Sequence, residues 1–399
     1  MANYDLVTVG GGVGGAAVAF AMAARGYRVL VVERETQFRD RVRGELLFPW
    51  GVAEARELGL YAALIEAGGH HPRYWTEYAG PEQLRARDFV EDTPQQLPAL
   101  CIYHPLMQEA LLRAAEAAGA EVRRGARVSL VERDGGLRVR LETAGGPATV
   151  AARLVVGADG RSSGARGWGG FAAREASPTT LFAGVLLENV AASAETSVCM
   201  LNPTDARMVL YFPQTPSSGR AYLASPAQGG VRLSGGADFA RFLAECARSG
   251  LAEGLLDGAR QAGPLATFES AESWVEHPYR GGIALVGDAA ATSDPTWGQG
   301  LPLTLRDARL LRDALLADDD WESAGHAYAA AHDRCYAMVR TAESWFTQVF
   351  LQPGPEADAL RAHVLPRLEA DPFFLPDTLT AGPDLAPATE QHRAQIFGR

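Results

Sequence analysis

Apolar and polar positions fall into three textures along the chain. In the first 175 residues or so, short unbroken apolar runs alternate with helical stretches. Tyr4–Val9 reads as a buried strand, Ala16–Arg25 as an Ala-rich helix and Arg28–Val32 as a second strand. Leu106–Ala118 carries a helical pattern that Gly119 closes. Leu137–Glu142 and Ala148–Val155 read as strands, with Gly135-Gly136 and Gly145-Gly146-Pro147 as hairpin turns. From about Leu181 the texture becomes β-rich. Leu181–Val190, Thr196–Leu201, Arg207–Phe212 and Arg220–Ala224 are short runs separated by Pro, Ser and Gly, the pattern of an antiparallel sheet. Helical patterns follow over Asp238–Arg248 and Leu251–Gln261, then a strand over Thr267–Glu276 that returns to the first region, and a buried strand at Ile283–Val286. Beyond it the chain is mostly helical to about Leu351, then Pro-rich and irregular.

This order predicts an α/β protein with an interrupted dinucleotide domain. Its parts are 1–72, 100–175 and 277–345. A β-rich insert, 73–99 and 176–276, forms a second domain, and 346–399 is a helical or irregular tail. A ligand site is expected where the two domains meet.

Glycines punctuate the first unit in a specific way. Gly10-Gly11-Gly12-Val13-Gly14-Gly15 lies between the first strand and the first helix, and Glu33, followed by Arg34, closes the second strand. In G-x-G-x-x-G the first glycine allows the tight turn. The second lets backbone approach a pyrophosphate, and the third lets helix pack on strand. The helix N-terminus supplies N–H donors to the phosphates, and the acid accepts from ribose hydroxyls. Gly157-Ala158-Asp159-Gly160-Arg161 follows a second strand, with Arg166 just beyond. Gly287-Asp288-Ala289-Ala290 follows a third, leading to Pro295-Thr296-Trp297-Gly298-Gln299-Gly300 and a helix over Pro302–Leu316. That helix would aim its N-terminus at an electron-rich ligand edge.

With these three motifs in order, the chain resembles the single-component (class A) FAD-dependent monooxygenases of the para-hydroxybenzoate hydroxylase fold family, over about residues 1–345. The resemblance implies a Rossmann-like FAD-binding domain, an inserted, mainly antiparallel substrate-binding sheet and a helical C-terminal region. It implies that Gly10, Gly12 and Gly15 hold the FAD pyrophosphate and Glu33 the adenosine ribose, with Val13, Gly14 and Arg34 also at the cofactor. Arg43 and His104 lie beside FAD, Val128 meets adenine through its backbone, and Asp159 and Gly160 serve FAD and nicotinamide nucleotide. Asp288 meets the ribityl chain, and Pro295, Gly298, Gly300 and Leu301 form the loop at the isoalloxazine. NADPH or NADH would be a transient reductant, since no second G-x-G-x-x-G exists. Two positions depart from the family pattern. His104 replaces a more usual Arg or Gln, and Pro302 stands where relatives carry Asn.

Composition trims the alternatives. The net charge of −11 argues against nucleic acid as a partner. The sequence has no lysine, which excludes lysine-based covalent chemistry. A flavin halogenase would need that lysine and a W-x-W-x-I-P motif, and neither is present. Cys101, Cys199, Cys246 and Cys335 are too far apart for a redox pair, which suits a reducing cytoplasm. No apolar run is long enough to span a membrane, and the first residues read as strand and turn rather than a signal peptide. A flavin-dependent reductase of the geranylgeranyl reductase type is the runner-up, and a binding protein resembling GDP dissociation inhibitors is more distant.

No metal ligands and no general acid or base can be named. His70-His71 reads more readily as a solvated loop than as a catalytic pair. In the insert, Met208, Leu210 and Phe212 share one strand face, with Val209 and Tyr211 on the other. Tyr211 and Trp297 are the substrate candidates, and Trp50 is a weaker one. The expected reaction inserts one atom of O2 into a hydrophobic, aromatic or polyketide-like small molecule, in a monomer or homodimer.

Overall fold

The computed structural model describes residues 2–80, 82–133, 135–251, 254–371 and 373–398. Two eight-stranded sheets organise the molecule. In the first, Glu121–Arg124, Val29–Glu33, Asn3–Val9, Gly146–Gly157 and Ile283–Leu285 run parallel in that spatial order. Val29–Glu33 is buried at every position. That is the mark of a parallel strand covered on both faces, and it explains the unbroken apolar runs. The hairpin Arg127–Arg133 and Leu137–Thr143 extends the sheet along Gly146–Gly157. Helix Val13–Ala23 is apolar all round, because the sheet covers one side and helices His104–Ala117 and Gly300–Ala317 the other.

The second sheet orders Arg260–Gln261, Thr180–Glu188, Ser218–Pro226, Arg207–Thr215, Thr196–Asn202, Tyr74–Ala79 and Glu82–Asp88, with Ala266–Glu269 also on Thr180–Glu188. It is antiparallel except where Tyr74–Ala79 runs parallel to Thr196–Asn202. One face packs on helix Phe239–Arg248, through Val209, Tyr211, Phe242 and Cys246. The other, with Met208, Leu210 and Phe212, meets Phe346 and Phe350 of the long helix Trp321–Phe350.

Three expectations need correction. Leu251–Gln261 is not a helix. Residues 252 and 253 lie outside the described residues, and the remainder turns at Gly254 and Gly258, both at positive φ, before the short strand Arg260–Gln261. Thr267–Glu276 is two strands. Ala266–Glu269 pairs in the second sheet, while Ser273–Val275 joins a small sheet with Ala173–Glu175 and Ala291–Thr292. The segment after Leu351 is not mainly irregular. Helix Pro355–Ala370 starts with Pro in its first turn, where no intrahelical N–H is lost, and with Glu356 and Asp358 favouring the positive helix end. No helix among the described residues is long and apolar enough to cross a membrane. All four cysteines are buried and free.

Candidate functional site

A cavity of about 590 Å³ opens between the two sheets. At one end lie Gly10, Gly12, Val13 and Gly14, with Glu33, Arg34 and Val128 beside them. Gly10 has φ +100°, and a Cβ there would come within 2.5 Å of the Ala158 carbonyl oxygen. Helix Val13–Ala23 begins at Gly12 with no capping side chain and no acid in its first turn. Its N-terminal N–H groups and their positive potential therefore face the cavity. Glu33 is buried and accepts from Gly11 N–H at 2.6 Å and Glu35 N–H at 2.8 Å. An ionised carboxylate keeps lone pairs for further donors after two such bonds. Gly15 alone among the expected cofactor residues does not line the cavity. Its Cβ would sit 1.9 Å from the Gly10 carbonyl oxygen, so its place is in the strand–helix packing.

Further along, the second and third motifs are tied together. Asp159 accepts from Ser163 Oγ at 2.6 Å and Gly164 N–H at 2.7 Å, ordering the turn that carries Gly160. Arg166 donates to the Asp288 and Ala289 carbonyls at 2.9 and 2.8 Å and to the Arg161 carbonyl at 3.2 Å. The Asp288 side chain stays half-exposed, with Arg161 Nε at 3.8 Å. Behind it Asp307 accepts from Gly287 N–H at 2.8 Å and pairs with His332 Nδ1 at 2.7 Å. Pro295, Gly298, Gly300 and Leu301 complete this wall, and helix Gly300–Ala317 also begins without a capping side chain or an early acid. Asp294 caps the 295–297 turn through Thr296 N–H at 2.9 Å, and burial pushes its carboxyl up to about 6. Pro302 packs against Gly51 within the first turn of the helix.

Arg43 and His104 also line the cavity. Burial lowers the Arg43 guanidinium from its ordinary value, against the pull of Asp288. His104 Nδ1 bonds the Gly44 carbonyl at 2.8 Å, and burial holds its imidazole down to about 4. His104 is thus neutral near pH 7.

Much of the remaining wall is apolar: Phe48 from the first domain, Trp75, Met208, Leu210, Phe212 and Tyr222 from the second sheet, and Phe346 and Phe350 from the long helix. Trp297 belongs to this wall. It donates to Thr347 Oγ1 at 2.8 Å and meets Phe346 edge-on at 5.4 Å. Tyr211 does not. Strand alternation turns it to the opposite face, buried with Phe242 and Cys246, so the expectation for Tyr211 is corrected in favour of Met208, Leu210 and Phe212. Trp50 is buried outside the cavity, donating to Gln299 Oε1 at 3.1 Å. His70 and His71 are partly exposed and lie outside the cavity. They bond the Ala194 and Ala99 carbonyls at 2.7 and 3.0 Å.

Sequence reasoning missed three groups. Pro376, Asp377, Leu379 and Thr380, in the supposed tail, line the cavity. Gln299 links them to the 295–300 loop by donating to the Trp297 and Leu379 carbonyls at 2.8 and 3.0 Å. The second group is the buried cluster of Arg220, Glu45 and Asp40, with Arg220 donating to Glu45 at 2.7 and 2.9 Å and to Asp40 at 2.9 Å. Gln214 also donates to Glu45. An arginine inside the apolar run Arg220–Ala224 was the available signal, since a buried charge requires a partner. The third is Glu77 with Arg85 in the cavity wall.

A family described as FAD binding domain matches residues 3–344. Squalene monooxygenase SE1 of Panax ginseng is 27% identical over 322 residues, covering 78% of this chain and 58% of that protein. The chain therefore spans less than two thirds of the length of this relative. Rifampicin monooxygenase of Streptomyces venezuelae is 28% identical over 382 residues, covering 89% of this chain and 73% of that protein. The solved structure of p-nitrophenol 4-monooxygenase PnpA from Pseudomonas putida DLL-E4 aligns with a TM-score of 0.78 at 19% identity, covering 100% of both chains. At that identity the likeness is one of fold.

Proposed function

The chain belongs to the FAD binding domain family, and we propose that it is a monooxygenase that uses FAD, NADPH or NADH, and O2 on a hydrophobic, aromatic or polyketide-like small molecule. The observation that carries this reading is a single cavity, glycine-lined with helix N-termini at one end and aromatic at the other.

The donor set fits FAD. One uncapped helix N-terminus, at Gly12, suits a pyrophosphate, and a second, at Gly300, suits the electron-rich edge of a flavin ring. Glu33 and Arg34 would hold the ribose, Val128 the adenine, and Asp288 the ribityl hydroxyls. Arg43 and His104 would flank the ring, with Asp159 and Gly160 on the same side of the cavity. When bound, FAD supplies the hydride-accepting and oxygen-activating chemistry. One atom of O2 enters a substrate C–H or C=C bond, and the other leaves as water with the electron pair of NAD(P)H.

The protein's share is positioning and exclusion of water. Phe212, Trp297, Phe346 and Phe350 present an apolar surface that holds the substrate carbon toward the 295–300 loop. Neutral His104 donates to Gly44 and leaves its other nitrogen as an acceptor.

The test is oxygen consumption by the purified protein with NAD(P)H and candidate phenols, alkenes and polyketides, with labelled O2 followed into the product. A colourless protein that takes up no FAD, or turnover unaffected by removing oxygen, overturns the reading. The second outcome would indicate a reductase.

A further inference from the structure

Charged side chains interrupt the aromatic wall at one place. Glu77 and Arg85 face each other across the hairpin Tyr74–Ala79 and Glu82–Asp88. Glu77 accepts from Arg85 Nη2 at 2.6 Å and Nε at 3.1 Å, and from the Trp75 indole N–H at 2.8 Å. Asp377 accepts from Arg87 Nη1 at 2.5 Å and Nη2 at 2.9 Å. Glu77, Arg85 and Asp377 line the cavity, and Arg87 stands behind them, 3% exposed.

A side chain on Gly298 would meet Phe48 at 3.2 Å. The Phe48 ring lies 5.5 Å from Trp75, and Trp75 is bonded to Glu77. Phe48 and Trp75 thus connect the 295–300 loop to the charged cluster, and Gln299, donating to the Leu379 carbonyl at 3.0 Å, ties the loop to the segment that carries Asp377.

The charges cancel pairwise, carboxylate against guanidinium. A carboxylate on the ligand would lie against Glu77 and Asp377 or break the Glu77–Arg85 pair, and an ammonium would face Arg85. Both are costly where water is excluded. A neutral hydroxyl breaks no pair, because an ionised carboxylate offers about four acceptor positions and neither Glu77 nor Asp377 fills them with the bonds above.

We propose that the substrate is a neutral molecule with an extended aromatic or apolar body and a hydroxyl group that docks on Glu77, Arg85 and Asp377. The proposal rests on the monooxygenase reading, whose substrate class it narrows.

Four probes of one size test it by calorimetry on the full-length holoenzyme: 2-naphthol, naphthalene, 2-naphthoate and 2-naphthylmethylammonium. 2-Naphthol is expected to bind at least about tenfold more tightly than the other three at neutral pH. In Glu77→Gln and Asp377→Asn that preference should fall below about threefold. Equal or tighter binding of either charged probe or of naphthalene overturns the proposal, as does a preference unchanged in both variants or no binding by any probe. The wild-type ranking decides alone if a variant fails to fold. FAD content and NAD(P)H oxidation on the same preparations keep the two readings apart. Their loss counts against the monooxygenase and leaves the probe ranking meaningful.

Discussion

The two ends of the cavity are built by different means. The glycine end is made of backbone. Gly10 and Gly15 sit where any added atom would strike a carbonyl at 2.5 or 1.9 Å. The other end is made of side chains from the second sheet, the long helix and the 376–380 segment. Backbone surfaces cannot be trimmed or repacked, so they suit a ligand that never changes. Side-chain walls tolerate volume-conserving exchange, so they can be reshaped for a different substrate without loss of the fold.

The joint between the ends is the most sensitive place to break this comparison. Arg220, on the second sheet, pairs with both Asp40 and Glu45 from the first part of the chain. Arg220→Met leaves two buried carboxylates uncompensated and should destabilise the protein by about 3–5 kcal/mol in urea unfolding. Gly15→Ala comes next. Strand and helix must separate to admit the methyl group, costing about 3 kcal/mol, and the purified protein should lose its flavin absorbance. If Gly15→Ala retained full FAD content, the backbone account of this end would be wrong.

The side-chain end should behave in the opposite way. Leu210→Ala is expected to weaken 2-naphthol binding by about tenfold while FAD content stays at wild-type level. Tyr211→Phe, one residue away on the opposite face, should leave both unchanged. Equal effects in the two variants would mean that the strand faces have been assigned wrongly.

The last effect concerns pH. The ordinary histidine value is 6.5, and burial holds His104 down to about 4. Between these values the unfolded chain binds a proton that the folded chain resists, so stability falls as pH drops through that window. His104→Gln should flatten this part of the thermal-melting profile and leave the region above 6.5 unchanged.

Where the sequence was legible, its signals were local. Strand Asn3–Val9, helix Val13–Ala23 and strand Val29–Glu33 follow from an apolar run, a glycine turn and a second run within a short stretch. The same holds for the turns at Gly160 and Gly287. The segment Leu251–Gln261 misled because its apolar spacing mimics a helix, while Gly254 and Gly258 adopt φ values that a helix forbids. The strand Arg207–Thr215 misled for another reason. It is buried on both faces, so alternation marked two apolar sides and could not say which one faced a ligand.

By itself, then, the sequence determined the glycine end of the cavity. A glycine turn of this kind is a matter of backbone sterics, and backbone sterics are written in the identity of the glycines at the turn. Only the tertiary structure decided the other end. It turned Leu210 inward and Tyr211 away, and it brought Asp377 to Glu77 and Arg85 across some 300 residues of chain. Those meetings depend on how two sheets and a long helix pack, and no spacing along the chain encodes them.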